Sequence, residues 1–472
     1  MKRTEPPLVP EEALQAQRDA MREISAWPNR PQTYWIVTYG CQMNAHDSET
    51  LSGMLSEMGL RQAASRDGAD LILFNTCCIR DNAERKALGN MTWLRQLKAR
   101  RPELVLCVCG CMVQQPKMSQ VLLRQYPFFD VAFGTHNLYR FPSLLLRALQ
   151  TRRQVIEAGE SDGCIAEGLP VRRESPFRAY VTIMYGCDNF CSYCIVPYVR
   201  GRERSRHPDA ILREAEALVA DGVQEIMLLG QNVNSYGNDL SGAPSFARLL
   251  RSLDSLGVPR IRFMTSHPKD ISDELIDAMA SSAHVAAHLH LPVQSGSDAV
   301  LRAMNRGYTR ETYLRRAAAL RAAMPDIALT TDLIVGFPGE TEEDFADTLS
   351  LVEQMRYDSA YTFIFSPREG TRASRMSGQV PAPVATERIE RLIAAQERIS
   401  AQIYAGLVGT RQCVLAEERS RRREGQIAGK CSRGLTCNFD GDAAMIGRFV
   451  PVRITEAGHN TLRAVPLAKE EA

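Results

Sequence analysis

From residue 34 onward, short apolar runs alternate with longer stretches whose apolar residues recur every three or four positions. That is the pattern of strands followed by amphipathic helices. The first block predicts strands over residues 34–39, 71–75 and 104–108, and helices over 48–58, 83–101 and 118–125. Repeated βαβ units of this kind build a parallel sheet, so residues 32–149 read as an N-terminal parallel α/β domain. Ahead of it lies an extension, 1–31, in which 11–27 reads as a peripheral helix without chemistry. Residues 150–172 lose the periodicity and read as a linker. A second α/β block, 173–403, predicts strands at 179–184, 225–229, 262–264, 288–293, 326–335 and 359–365. Helices are expected between them at 208–220, 310–323 and 341–354, with a long one near 385–404. Six such units predict a partial parallel (β/α)6 barrel, with chemistry at the strand carboxyl ends. The period changes again at 406–468. Five short Val/Ile/Leu runs separated by glycine (412–415, 425–427, 436–439, 450–454, 462–465) predict a small all-β barrel of the kind that binds nucleic acid.

Composition narrows the class. A chain of 472 residues has room for about three domains, matching the three patterns. Lys and Arg number 57 against 55 Asp and Glu, so the net charge is +2 and any nucleic-acid grip must be local. The start, Met1-Lys2-Arg3-Thr4-Glu5-Pro6-Pro7, lacks the apolar segment of a secretory signal. No run approaches the roughly 18 apolar residues of a membrane span. A cytoplasmic chain without membrane contact is expected, and there thiols stay reduced. That makes the 13 cysteines informative.

Three of them, Cys41, Cys77 and Cys111, stand just past the first three predicted strands, 36 and 34 residues apart. Residues just past parallel strands converge at one sheet edge, where ligands bind. A second set, Cys187-Asp188-Asn189-Phe190-Cys191-Ser192-Tyr193-Cys194, follows the first barrel strand. Zinc is the rival occupant, but a closed structural zinc site wants four ligands, and no fourth cysteine or nearby histidine is present. A 4Fe–4S cluster held by three thiolates, with one iron left open, fits the count better.

The second set resembles the hallmark of the radical S-adenosylmethionine enzymes, Cys-x3-Cys-x2-Cys in a partial (β/α)6 barrel. The resemblance implies that the open iron chelates S-adenosylmethionine, whose sulfonium is cleaved by one electron to a 5′-deoxyadenosyl radical. It places Tyr193 beside the adenine, although a packed loop aromatic is the plainer alternative. Gly230-Gln231-Asn232, Ser266-His267 and Gly336-Phe337-Pro338-Gly339-Glu340, all at predicted strand exits, are candidates to line that cofactor. For His267 a packed histidine is a plainer reading than a catalytic one. No catalytic side chain is assigned beyond the clusters.

The N-terminal motifs are Thr38-Tyr39-Gly40-Cys41-Gln42-Met43-Asn44, Asn75-Thr76-Cys77-Cys78-Ile79-Arg80 and Cys109-Gly110-Cys111-Met112-Val113-Gln114. They are similar to those of the methylthiotransferases, which bind a second 4Fe–4S cluster through three cysteines in this domain. The resemblance extends through the segment from Ile195 to Arg206, Gly230-Gln231-Asn232-Val233-Asn234 and Leu291-Pro292-Val293-Gln294-Ser295-Gly296-Ser297. It covers about residues 32–467 and includes a C-terminal TRAM-like module. Tyr39-Gly40-Cys41-Gln42-Met43-Asn44 favours the MiaB-type branch, which acts on isopentenyladenosine next to the tRNA anticodon. The branches acting on threonylcarbamoyl-adenosine or a ribosomal protein, and a non-enzymatic iron–sulfur RNA-binding protein, are the alternatives. Cys77 and Cys78 both stand at the second ligand position, and the motif favours Cys77. Cys107 and Cys109 read as buried strand residues. The segment 431–437, with Cys431 and Cys437, stands where a more polar sequence is usual, which the resemblance links to altered RNA contacts.

What the resemblance implies is methylthiolation of adenine carbon 2 with two S-adenosylmethionine molecules and two 4Fe–4S clusters. An aromatic C–H offers no acidic proton, so acid–base groups alone would not serve. The partners implied are the tRNA anticodon stem-loop and an electron donor such as flavodoxin or ferredoxin, with the chain a monomer. Candidate RNA contacts are Arg200, Arg202, Arg204 and Arg206 after the central cysteines, and Arg419, Arg421, Arg422 and Arg423 in the terminal module. Binding through such patches weakens with salt.

Overall fold

The computed structural model describes residues 5–78, 81–159, 163–421 and 423–468. In the N-terminal domain the strands are β1 (Thr33–Thr38), β2 (Arg61–Gln62), β3 (Leu71–Thr76), β4 (Val105–Gly110), β5 (Val131–Phe133) and β6 (Val155–Glu157). They form one parallel sheet in the order β2-β1-β3-β4-β5-β6. β3 and β4 are buried along their whole length, as strands covered on both faces must be. Helices α1 (Glu11–Ala26), α2 (Gln42–Glu57) and α5 (Phe141–Thr151) cover one face through Ile24, Leu51, Leu55 and Phe141. Helices α3 (Asp81–Arg100) and α4 (Met118–Gln125) cover the other through Met91, Leu94 and Leu122.

Two expectations change here. The expected linker begins as β6, the sixth strand of the sheet, paired with β5. Helix α2 starts at Gln42, six residues before the apolar period suggested. The reason is that Asn44, Ser48 and Glu49 face inward and are buried, so a polar first turn belongs to the interior. Their partners lie on other elements: Ser48 Oγ lies 2.8 Å from Thr38 Oγ1, and Glu49 Oε1 accepts the Glu174 N–H at 3.0 Å.

The barrel strands are β7 (Arg178–Thr182), β10 (Glu225–Leu229), β11 (Arg260–Phe263), β12 (His288–His290), β13 (Ala328–Val335) and β14 (Ser359–Ile364). They run parallel as β7-β10-β11 and β12-β13-β14, and a bridge between Ile261 and Val285 joins the two halves. The barrel stays open between β7 and β14. A short antiparallel pair, β8 (Met184–Tyr185) with β9 (Arg204–Ser205), closes the base of the central cysteine loop. That loop also contains α6 (Val196–Val199). The outer ring is α7 (Pro208–Ala220), α8 (Phe246–Asp254), α9 (Asp273–Ser281), α10 (Asp298–Ala303), α11 (Arg310–Ala323), α12 (Glu342–Met355) and α13 (Ala382–Gly406). Four of these helices start with the side chains of Ser245, Ser272, Thr309 and Thr341 capping the first turn.

The C-terminal strands β15 (Arg411–Arg419), β16 (Gln426–Cys431), β17 (Thr436–Asp440), β18 (Phe449–Ala457) and β19 (Thr461–Pro466) close into a barrel. It docks on the amino ends of the large-barrel strands, opposite the mouth. Arg260 donates to the carbonyls of Lys430 and Cys413, both at 2.8 Å. Arg262 donates to those of Cys431 and Ser432 while its Nε holds Glu225 at 2.8 Å. Ser432 Oγ accepts from Ala287 N at 2.8 Å, and Arg433 pairs with Asp358. The segment 431–437 therefore faces the barrel, which accounts for its departure from the more polar sequence usual there. Its low polarity belongs to an interface.

Gly53 in α2 shows how tightly the former linker is packed. A Cβ there would sit 2.3 Å from Pro170 O and 2.8 Å from Val171 N. Helix-interior Gly→Ala normally gains about 0.5–1 kcal/mol. Gly53→Ala should instead cost about 1–3 kcal/mol by forcing backbone apart, whereas Gly89→Ala, with nothing within 4 Å of the new Cβ, should keep the normal sign. Thermal melting of the two variants checks the contrast.

Candidate metal and cofactor sites

Strands β1, β3 and β4 release the chain at one sheet edge, and Cys41, Cys77 and Cys111 follow there. Close approach is possible because two glycines adopt left-handed backbone. At Gly40 (φ 120°) a Cβ would lie 2.5 Å from Cys77 Cβ, and at Gly110 (φ 97°) 2.3 Å from Thr76 O. Asn44 ties the exits together: its Nδ2 reaches Tyr39 O at 3.0 Å, Asn75 Oδ1 at 3.2 Å and Thr76 O at 3.0 Å. Cys111 N donates to the same Thr76 O at 3.0 Å. Cys41 is exposed, while Cys77 and Cys111 are buried. The Cys77 side chain lies against Gly40, beside Cys41, whereas Cys78 points into the apolar cluster shared with Cys111. A hydrogen bond with Cys78 and the Arg200 guanidinium hold the Cys111 thiol down at about 6 despite its burial. Cys107 and Cys109 are buried in β4.

The central triad sits in a loop pinned from several sides. At Gly186 a Cβ would meet Arg202 O at 2.0 Å, and Cys187 N donates to Gly201 O at 3.1 Å. Asn305 Nδ2 reaches the carbonyls of Asn189 and Phe190, both at 3.1 Å. Arg306 donates from Nη1 to Cys191 Sγ at 3.3 Å and from Nη2 to Pro292 O at 2.7 Å. Burial pushes the Cys187 and Cys194 thiols up to about 12, with the neighbouring Cys191 adding to it. Buried thiols of this kind lose their protons to a bound cation rather than to solvent. Among the described residues no three Cys, His, Asp or Glu side chains close on one point as round a single ion. A four-iron cluster takes one thiolate per iron, a wider set than the ~2.3 Å bonds of one zinc.

The cofactor candidates gather at the large-barrel mouth. Gln231 Oε1, Asn234 Oδ1 and Nδ2, Ser266 Oγ and His267 Nε2 are buried without hydrogen-bond partners. Each such atom costs about 1–3 kcal/mol, and several together match a polar ligand such as the amino-acid and ribose parts of S-adenosylmethionine. Asn232 donates to Asp270 at 2.7 Å and accepts from His267 N at 3.2 Å. Burial and the nearby Arg306 and Lys269 charges drive the His267 pKa far down, so its ring is neutral. Gly230 leaves room for Met184, whose Cγ a Cβ would meet at 2.6 Å. Tyr193 packs against a small core of Val300, Met304, Phe337 and Ala373. Gly336 (φ 71°) forms a turn whose N–H binds Glu340 Oε1 at 2.9 Å, and Glu340 is paired with Arg388 at 2.7 Å. Non-glycine residues with left-handed backbone also cluster here: Phe190, Thr265, Gln294 and Asn305. Such strain persists where the surroundings impose it, typically at functional sites.

The arginine candidates separate. Arg200 and Arg206 are buried, 5% and 7% exposed, and so present no guanidinium to RNA, a correction to their assignment as contacts. Arg206 is held by Glu167 at 2.6 Å and Glu214 at 2.7 Å. Arg204 is half-buried over the Tyr185 ring and donates to Cys164 O and Arg200 O. Arg202 is exposed, 3.1 Å from Asp188. In the small barrel Arg419, Arg421 and Arg423 are exposed, with Arg421 3.2 Å from Glu418, and Arg422 lies outside the described residues. Asn44, Asn305 and Arg306 were missed; each looks like a surface polar residue in sequence, and only tertiary placement reveals it.

The fold and the central triad define a radical S-adenosylmethionine protein. The Radical SAM superfamily matches residues 181–352, the uncharacterized protein family UPF0004 matches 33–134, and the TRAM domain matches 406–467. In fold alone the chain is similar to the radical S-adenosylmethionine methyltransferase TsrM from Kitasatospora setae, solved with cobalamin and a [4Fe-4S] cluster. The TM-score is 0.54 at 14% identity, covering 84% of this chain and 77% of that one. It is 50% identical over 451 residues to the tRNA-2-methylthio-N(6)-dimethylallyladenosine synthase of Alkaliphilus oremlandii, covering 95% of this chain and 96% of the relative. It is 49% identical over 452 residues to that of Acetivibrio thermocellus, covering 94% of each. The chain belongs to the family of tRNA-2-methylthio-N(6)-dimethylallyladenosine synthases.

Two variants test the sites separately. Cys187→Ala/Cys191→Ala/Cys194→Ala should halve the iron from about eight to about four per chain, and full retention would sink the assignment. Asn44→Ala leaves the strand-exit carbonyls unpaired. It should cost about 2–4 kcal/mol in melting experiments and deplete iron from the N-terminal site first.

Proposed function

We propose that this chain attaches a methylthio group to carbon 2 of isopentenyladenosine next to the tRNA anticodon, consuming two S-adenosylmethionine molecules. The observation that carries this reading is the pair of three-cysteine sets, each at a strand carboxyl edge, linked in space by residues 195–200, which lead from Cys194 to the Arg200 that touches Cys111. Cys41, Cys77 and Cys111 hold one 4Fe–4S cluster, and Cys187, Cys191 and Cys194 hold the other, leaving an iron for S-adenosylmethionine. When bound, these groups supply the electron that opens the sulfonium and the radical hydrogen abstraction that an unactivated aromatic C–H requires.

The chain's own residues bind, orient and exclude water. Gln231, Asn234, Ser266 and His267 offer their unpaired polar atoms to S-adenosylmethionine, with Tyr193 and the Gly230 and Gly336 turns shaping the walls. Neutral His267 accepts or donates one hydrogen bond without adding charge. A cavity of about 670 Å³ inside the large barrel opens towards the docked small barrel, lined among others by Tyr180, Met227, Arg262, His288 and Arg433. Exposed Arg202, Arg419, Arg421 and Arg423 supply phosphate contacts. Splayed anticodon-loop bases are the form of RNA that proteins read best. The setting is a cytoplasmic monomer that draws electrons from a flavodoxin or ferredoxin. Among the described residues no helix is long and apolar enough to cross a membrane.

Mass spectrometry of tRNA nucleosides from a deletion strain tests the substrate. Methylthio-isopentenyladenosine should vanish and isopentenyladenosine accumulate. Unchanged tRNA together with an unmodified ribosomal protein would overturn the assignment. Binding of the anticodon stem-loop should weaken tenfold or more between about 50 and 200 mM salt if several phosphates are contacted.

A further inference from the structure

The chain leaving the central cysteine loop ends inside the neighbouring domain. Ile195, just before α6, and Val199, its last residue, are buried in the apolar cluster that contains Cys78, Cys111 and Met112. Val199 O accepts the Thr135 hydroxyl at 2.6 Å. Arg200 follows, 5% exposed. Its Nε donates to Cys111 Sγ at 3.3 Å, and its Nη2 donates to Asp47 Oδ2 at 2.7 Å and Asn44 Oδ1 at 3.0 Å. Asn44 in turn accepts from Cys41 Sγ at 3.6 Å. One guanidinium from the central module thus spans two corners of the N-terminal triad. A buried guanidinium requires anionic partners. Asp47 supplies one, and the Cys111 sulfur stands where the second belongs. Arg306 makes the matching 3.3 Å contact to Cys191, but from within the central module.

We infer that Arg200 is a positioning residue for the N-terminal cluster: it fixes Cys111 against the α2 start, raises that cluster's reduction potential, and is delivered there by the loop carrying the central triad. The inference rests on the reading that Cys41, Cys77 and Cys111 hold a cluster. Its physical basis is general. An N–H and a positive charge on a ligating sulfur favour the reduced, more negative cluster, so they raise its potential.

The test uses the Cys187→Ala/Cys191→Ala/Cys194→Ala chain, which retains the N-terminal site alone, with Arg200 kept, changed to Lys or changed to Gln. Iron content, melting temperature and a redox titration followed by electron paramagnetic resonance are measured. Arg200→Gln should disfavour reduction about tenfold, which is about 59 mV for a one-electron couple. Arg200→Lys, which keeps charge but loses the fork, should fall between. An assembled cluster with unchanged potential in both variants overturns the inference. Loss of iron from both at unchanged melting temperature supports positioning, whereas collapse of the fold in both assigns Arg200 a merely structural role and overturns it. An iron-free parent chain refutes the cluster reading itself, an outcome distinct from any of these.

Discussion

Parallel strands can be joined only by crossovers that return over a sheet face, so every strand leaves the sheet at the same edge. All the chemistry-bearing groups of this chain depend on that constraint, applied twice. In the N-terminal domain it brings together cysteines more than thirty residues apart, and Gly40 and Gly110 let the three exits touch where any Cβ would collide. In the large barrel it collects the central loop, Gly230, Ser266, Gln294 and Gly336 at one mouth. The antiparallel β8–β9 pair is the exception that serves the rule, since it lifts the cysteine loop clear of the strands and closes it at its base.

Charge is spent inward. A net +2 conceals arginines that are buried: Arg200 on Cys111, Arg306 on Cys191, Arg206 between two glutamates, Arg262 on Glu225 and Arg388 on Glu340. Arg262 and Arg388 each stand against a buried carboxylate that would otherwise be uncompensated. The same burial explains why His267 stays neutral at the mouth while carrying an unpaired ring nitrogen.

Much of this was legible from the residues. Alternating apolar periods located the three modules, and the spacing of Cys41, Cys77 and Cys111 placed them past strands whose exits share one sheet edge. What could not be read depends on partners distant in sequence. The polar first turn of α2 looked like loop, since Asn44 and Ser48 find their partners on other strands. β6 is three residues long and escaped any periodicity. The unusual 431–437 segment was linked to altered RNA contacts, but Arg262 and Ser432 place it against the large barrel. Arg200 and Arg206 looked like a basic stripe because alternation in sequence carries no information about which carboxylates stand opposite.

The docking of the small barrel on the amino ends of the large-barrel strands makes it a brace for the opposite end. Arg262 holds Glu225 with one nitrogen and the carbonyls of Cys431 and Ser432 with the others. The strands it fixes are those that lead to Gly230 and Ser266 at their carboxyl ends, so loosening this seam is felt a full strand length away.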